Sequence, residues 1–177
     1  MAAAQLWLDK KLKPVSTHGG DTRRGKRKIA RPLAVKHPMH VVFKARDCLL
    51  RRPKNLGGIK NLLTEVSKEN KVQVTEMAVV SNHIHLTIRA FNRDMLKKFL
   101  RIVSGQIASH VTGAKKGRGL LESFWAQPIW TRILTWGRDY EATREYVKKN
   151  ELEAEGVIIY YRAPKPKKKS SAPPAER

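Results

Sequence analysis

From His83 onward the chain reads His-Ile-His-Leu-Thr-Ile-Arg, a strict alternation of polar and apolar side chains that continues the run Ala78-Val79-Val80-Ser81-Asn82. In an extended strand successive side chains point to opposite faces, so His83 and His85 share one face while Ile84, Leu86 and Ile88 share the other. The pattern therefore demands a β-strand with one buried face and one polar face. At roughly 3.3 Å of rise per residue the two histidine Cα atoms stand about 6.6 Å apart, and two imidazoles at that separation can close around one divalent ion. A polar strand face with two hydrogen-bonded histidines fits the triplet as well, and the triplet alone leaves both readings open.

Other elements follow from periodicity. His40 to Ala45 reads as a strand built on Val41, Val42 and Phe43. Leu56 to Asn70 reads as a helix, because Ile59, Leu62, Leu63 and Val66 recur at spacings of three and four. Val72 to Val80 is a second strand, which Ser81-Asn82 turns or bulges into the histidine strand. Asp94 to Val111 carries the helical stripe Leu96, Phe99, Leu100, Val103 and Ile107, and Ile129 to Trp136 reads as a fourth strand ended by Gly137. Asp139 to Ala154 is helical, with Asp139, Glu141 and Glu145 complementing its positive N-terminal end. The order βαββαβα predicts an α+β fold, a ferredoxin-like (RRM-like) antiparallel sheet backed by helices. Such sheets serve many functions, so the fold does not choose among them.

At 177 residues and 41% hydrophobic content the chain can bury one real core. We expect a basic N-terminal arm over 1–36, one domain over 37–162, and over 163–177 a disordered tail rich in proline and lysine. Thirty-seven Lys and Arg against fifteen Asp and Glu leave a net charge of +22, a field that attracts polyanions, nucleic acid above all. An RNA binder of the ribosomal type would share this charge. Membrane association is not expected, since no apolar run reaches ~20 residues and no basic amphipathic helix stands out. The opening residues also lack a basic segment followed by an apolar one, so a cytoplasmic, nucleoid-associated protein is expected. The lone Cys48 makes neither an internal disulfide nor a Cys-rich zinc site, so a metal here would use histidine with oxygen or amide ligands.

Candidate phosphate contacts are Arg23, Arg24, Lys26, Arg27, Lys28 and Arg31 in the arm, and Lys115, Lys116 and Arg118 in the glycine-rich stretch Gly113 to Gly119. Arg132 on the fourth strand and Lys148 and Lys149 on the last helix join them; a solvated face or loop explains the stretch and these three equally well, and a solvated linker explains the arm nearly as well. Trp125, Trp130 and Trp136 read as core residues, with stacking on unpaired bases as the alternative. His40 reads as a cap of the first strand, with a place near the site as the alternative, and His110 as a satisfied interior histidine, with a DNA contact as the alternative. Tyr146 and Asn150, four residues apart, share a helical face. If that face covers the histidine strand, Asn150 can offer a carbonyl oxygen to a metal while Tyr146 approaches as a nucleophile. A tyrosine packed at the core edge is the plainer reading.

The central region resembles the IS200-like, single-tyrosine transposases of the HUH endonuclease superfamily. Val79 to Leu86 is similar to that family's histidine strand, Phe124-Trp125 through Arg132 to its tryptophan-rich segment, and Tyr146-Val147-Lys148-Lys149-Asn150 to its Y-x-x-x-N or Y-x-x-x-Q pattern. Gly156-Val157 falls where a characteristic glycine and apolar residue occur, and the arm around Gly19-Gly20 and Arg23 through Leu33 looks like that of the REP-associated tyrosine transposases. The resemblance implies cleavage and rejoining of single-stranded DNA beside hairpins through a 5′-phosphotyrosine. It implies Tyr146 as nucleophile, His83, His85 and Asn150 as metal ligands, and Mg2+ or Mn2+ as the ion. Both a monomer and a homodimer are compatible with it. Two departures stand out: Val80-Ser81 where Met-Pro is common, and Glu151 where the related branch has proline. A domesticated nucleic-acid binder on the same fold is the alternative function.

Overall fold

The computed structural model describes residues 17–21, 29–114 and 122–158. Arg23, Arg24, Lys26, Arg27 and Lys28 of the arm, Lys115, Lys116 and Arg118 of the glycine-rich stretch, and the tail from 163 lie outside the described residues. The elements run β1 (Thr17–His18), β2 (Met39–Lys44), α1 (Pro53–Glu69), β3 (Gln73–Val79), β4 (His83–Arg89), α2 (Arg93–Thr112), β5 (Trp130–Ile133) and α3 (Arg138–Ala154). From β2 onward this is the expected βαββαβα order, and the strands form one antiparallel sheet in the order β1-β5-β2-β4-β3.

Each helix starts and stops for a local reason. Pro53 opens α1 with its φ already set for a helix and no N–H to waste. The Asn92 side chain accepts a 2.8 Å bond from the Met95 N–H to cap α2, and Gly113 ends that helix in the left-handed region at φ 71°. At α3 the Asp139 carboxylate accepts from the Thr135 N–H at 3.0 Å, which ties the end of β5 to the first helical turn. That early turn is why β5 stops at Ile133 rather than running to Trp136.

The two faces of the sheet carry different helices. Met39, Val41 and Phe43 of β2 and Ile84, Leu86 and Ile88 of β4 are fully buried against Ile59 and Leu63 of α1 and Leu96, Phe99 and Val103 of α2. Each such side chain contributes about 1.5–3 kcal/mol by leaving water, so β2 and β4 are firmly held in register. α3 packs on the opposite face, against β3 and β4. The alternation of β4 thus delivers its apolar set to the α1/α2 layer and its histidines to the α3 layer.

Part of the segment read as a basic arm belongs to the sheet. Thr17 and His18 pair with Arg132 and Thr131 of β5, and the Gly20 N–H donates to the Pro128 carbonyl at 2.9 Å. Gly19, at φ 83°, lies so close to β5 that a Cβ would stand 2.0 Å from the Ile129 carbonyl oxygen, so glycine is required there. Arg31 Nη1 donates to Ile129 O at 3.0 Å and to Thr131 Oγ1 at 2.7 Å, pinning its own segment to β5. Alternation in so short a strand, and an arginine used as a backbone tie, leave no signal in a single sequence. His110, read as an interior residue, is instead exposed on α2, where it covers Gly58 of α1. Among the described residues no helix is long and apolar enough to cross a membrane.

Candidate active site

Antiparallel pairing sets out the α3-facing side of the sheet in two rows. Ala78, His85, Val42 and Trp130 stand opposite one another, and beside them Glu76, Thr87, His40 and Arg132. His40 is therefore the diagonal neighbour of His85 across β2 and β4, within reach of a ring. Its Nε2 lies 3.1 Å from Nδ1 of His85, with the two rings stacked at a centroid distance of 5.3 Å. His83, two residues from His85 on the same face, has its ring centroid 4.7 Å from that of His85 and donates from Nδ1 to Asn82 Oδ1 at 2.6 Å. The turn residue Asn82 thereby orients His83.

α3 brings Tyr146 over this histidine cluster. Its ring is 5.4 Å from that of His85 and 6.2 Å from that of His40, both edge-on, and it remains half exposed. Tyr146 also lines a cleft of about 340 Å³ with His40, Trp130, Arg132, Asp139, Ala142 and Thr143. Asn150 sits one turn further along α3, where its amide nitrogen donates to the Tyr146 carbonyl at 2.7 Å. Its amide is thus turned back onto its own helix, and a ligand role would require the side chain to rotate.

The basic candidates divide by position. Arg132 lines the cleft and is fixed there by bonds to Asp139 Oδ1 at 2.8 Å and Thr143 Oγ1 at 3.1 Å. Lys148 reaches Glu76 at 3.5 Å and Lys149 reaches Glu153 at 3.8 Å, both from exposed positions on α3. Arg31 is at the far edge of the sheet, committed to β5. Trp125 matches its core reading, with its ring 5.5 Å from Phe43 and its indole N–H on Ser104 O. Trp136 is half exposed, with its N–H on Lys36 O.

Electrostatics keep the cluster neutral. Burial, followed by the charges of His83 and His40, pushes the His85 imidazole down to about 3. Burial and the Arg132 charge push His40 down to about 4, while burial and the Lys44 charge lower His83. Asp139 is held below the usual carboxylate range; burial would raise it, but the Thr135 N–H and the Arg132 guanidinium outweigh that. Neutral imidazoles are the form that binds metals.

The donor set fits a divalent ion at one point in particular. Nε2 of His85 is buried and has no hydrogen-bond partner, an unusual state for a polar atom and the natural one for a ligand nitrogen. With Asn82 holding Nδ1 of His83, that ring too offers Nε2. Among the described residues no group of three or more His, Cys, Asp or Glu side chains is arranged to hold a metal, so further ligands would come from amide, phenol, phosphate or water oxygens.

The sequence model of the IS200-like transposases matches residues 34–150, about two thirds of the chain. The chain belongs to the IS200-like transposase family. Membership makes it a DNA-processing enzyme of transposition, and the matched span contains β2 through Asn150, hence all the site residues above. A solved structure of a REP-associated tyrosine transposase bound to a REP hairpin shares the fold, at a TM-score of 0.53 and 17% identity over 75% of this chain and 76% of that one. A crystal structure of a candidate transposase from Deinococcus radiodurans R1 is 17% identical with a TM-score of 0.45, covering 71% of this transposase and 98% of that chain. No curated protein matches by sequence. His40 is the site member for which the sequence favours a structural role as a strand cap, with a place near the site as the alternative; the alternation of Met39, Val41 and Phe43 puts it on the polar face, but its partner depends on a register no single sequence displays.

Proposed function

We propose that this transposase cleaves and rejoins single-stranded DNA beside hairpins, with Tyr146 as nucleophile and His83 and His85 as ligands of a divalent ion, Mg2+ or Mn2+. The observation that carries this reading is the placement of the half-exposed Tyr146 ring 5.4 Å from His85, above a buried imidazole nitrogen without a partner. When bound there, with Asn150 rotated to add its amide oxygen, the ion would polarise a non-bridging phosphate oxygen and stabilise charge developing on the phosphoryl group.

The chain's own residues do the rest. Tyr146 loses its phenolic proton to solvent and its oxygen attacks phosphorus; the new O–P bond replaces the P–O3′ bond, and the departing 3′-oxygen takes up a proton. The phosphodiester energy is conserved in the tyrosyl ester, so a later 3′-hydroxyl can reverse the step and join strands. Arg132, held in the cleft by Asp139 and Thr143, and Lys148 beside Tyr146 supply positive charge for the phosphate backbone. A hairpin is the proposed substrate because a protein of this fold is described bound to one, and because a net charge of +22 suits a folded polyanion. The positions outside the described residues, from Arg23 to Lys28 and Lys115, Lys116 and Arg118, are proposed as further backbone contacts on charge alone.

Incubation with a single-stranded hairpin substrate and Mn2+, followed by a denaturing gel, tests the reading. Wild type should shift to a covalent protein-DNA adduct, while Tyr146→Phe should bind the hairpin with unchanged affinity and form none. Metal-dependent cleavage that survives Tyr146→Phe would assign the attack to water instead.

A further inference from the structure

We propose that His40 is a positioning residue of this site: it accepts a hydrogen bond from Nδ1 of His85 and so fixes that ring in the tautomer whose Nε2 carries an open lone pair. The proposal deepens the metal-site reading above and rests on it for its functional consequence.

His40 Nε2 and His85 Nδ1 face each other at 3.1 Å, so one must donate and the other accept. If His40 donated, His85 would carry its own proton on Nε2, an N–H buried with nothing to receive it. Orphaned buried donors are rare, and a protonated Nε2 cannot ligate. If His85 donates from Nδ1, its Nε2 is a bare lone pair, the state a ligand needs, and the proton of His40 moves to its own Nδ1, which is not among the buried atoms lacking a partner. Asn82 imposes the same tautomer on His83, since its Oδ1 can only accept from Nδ1. Both rings then present Nε2 by the same device, one held by an amide and the other by an imidazole.

Packing makes His40 a stiff support. Its strand is anchored by the fully buried Met39, Val41 and Phe43, and Trp130 meets its ring edge-on at 5.4 Å. The usual acceptor behind a ligating histidine is a carboxylate or a backbone carbonyl. A neutral imidazole does the same work without placing negative charge where a DNA phosphate must approach. The orientation of His40, with Nε2 spent on His85, also removes it as a third ligand.

Two measurements decide the matter. In metal-free wild type labelled with 15N-histidine, long-range 1H-15N spectra at pH 7.5 should show His85 and His40 protonated at Nδ1 and bare at Nε2; a proton on Nε2 of His85 overturns the proposal. Mn2+ titration followed by electron paramagnetic resonance should then find His40→Leu weakened by about 10–100-fold, the range for losing such a support. His40→Gln, which restores a carbonyl acceptor, should recover most of that loss, and circular dichroism should match wild type for both. His40→Leu binding Mn2+ as wild type does would refute the positioning role. Failure of wild type itself to bind Mn2+ would instead sink the metal-site reading, while the tautomer spectra, which need no metal and no variant, would still judge the hydrogen bond.

Discussion

His40 and His85 enter the folded state as neutral rings, and that has a measurable cost in acid. Both have folded values, about 4 and about 3, below the ordinary histidine value of 6.5. Below pH 6.5 the unfolded chain therefore binds protons that the folded chain refuses, and stability falls with pH until the folded values are reached. We expect the urea midpoint of chelator-treated protein to be level above pH 7 and to drop steadily from pH 6.5 toward pH 4, with His40→Gln flattening part of the slope. A midpoint independent of pH across that window would contradict the neutral cluster. His83, His85 and Tyr146 were legible in the sequence because each pattern lies within one element, as alternation or as helical spacing. His40 and Arg31 were not, because one depends on a diagonal contact between strands 45 residues apart and the other on a tie to a strand 98 residues away.

At the scale of elements, α3 is fastened to its sheet by polar clamps as well as by the buried Val147. Glu151 accepts from the Val79 N–H at 2.8 Å and bonds Lys60 of α1 and Arg51, while Glu76 of β3 receives both Nε and Nη2 of Arg144. Burial alone would raise the Glu151 carboxyl, but its bonds to Lys60 and the Val79 N–H hold it below the ordinary carboxylate range. Glu151→Ala leaves the N–H of the fully buried Val79 without an acceptor, a loss of about 1–3 kcal/mol. Amide hydrogen exchange should accelerate throughout α3 and leave α1 and α2 largely as they were; uniform acceleration would mean that α3 is not a separate layer. The helix itself was readable from its charges and spacing. Its place on the histidine face of the sheet was legible only as a condition, because the contacts that fix it lie between distant residues, and the glutamate that reads as a departure from a family pattern is one of the clamps that hold the helix down.

For the whole molecule the dominant force toward DNA is its excess positive charge. With +22 to neutralise, hairpin binding should depend steeply on salt; contact with about 6–10 phosphates would lose about 10³–10⁵ in affinity between 50 and 200 mM. A fluorescence-anisotropy titration that stays flat over that range would place recognition elsewhere than the backbone. The α+β order was legible because β2 through α3 each carry a clear period, whereas the closing strand β1, two residues long, carries none.

That short strand has a consequence beyond the site. β5 would otherwise present a bare row of N–H and C=O groups along the outer margin of the sheet, a template on which a second molecule could add its own strand. Among the described residues Thr17, His18 and Gly20 occupy that margin, a segment too short to offer a long new one of its own. Gly19→Ala, which forces a methyl group into the Ile129 carbonyl, should lift them away. The expected result is a protein that folds and then slowly self-associates, seen as rising light scattering at high concentration. β1 is, in that sense, a terminator of sheet growth.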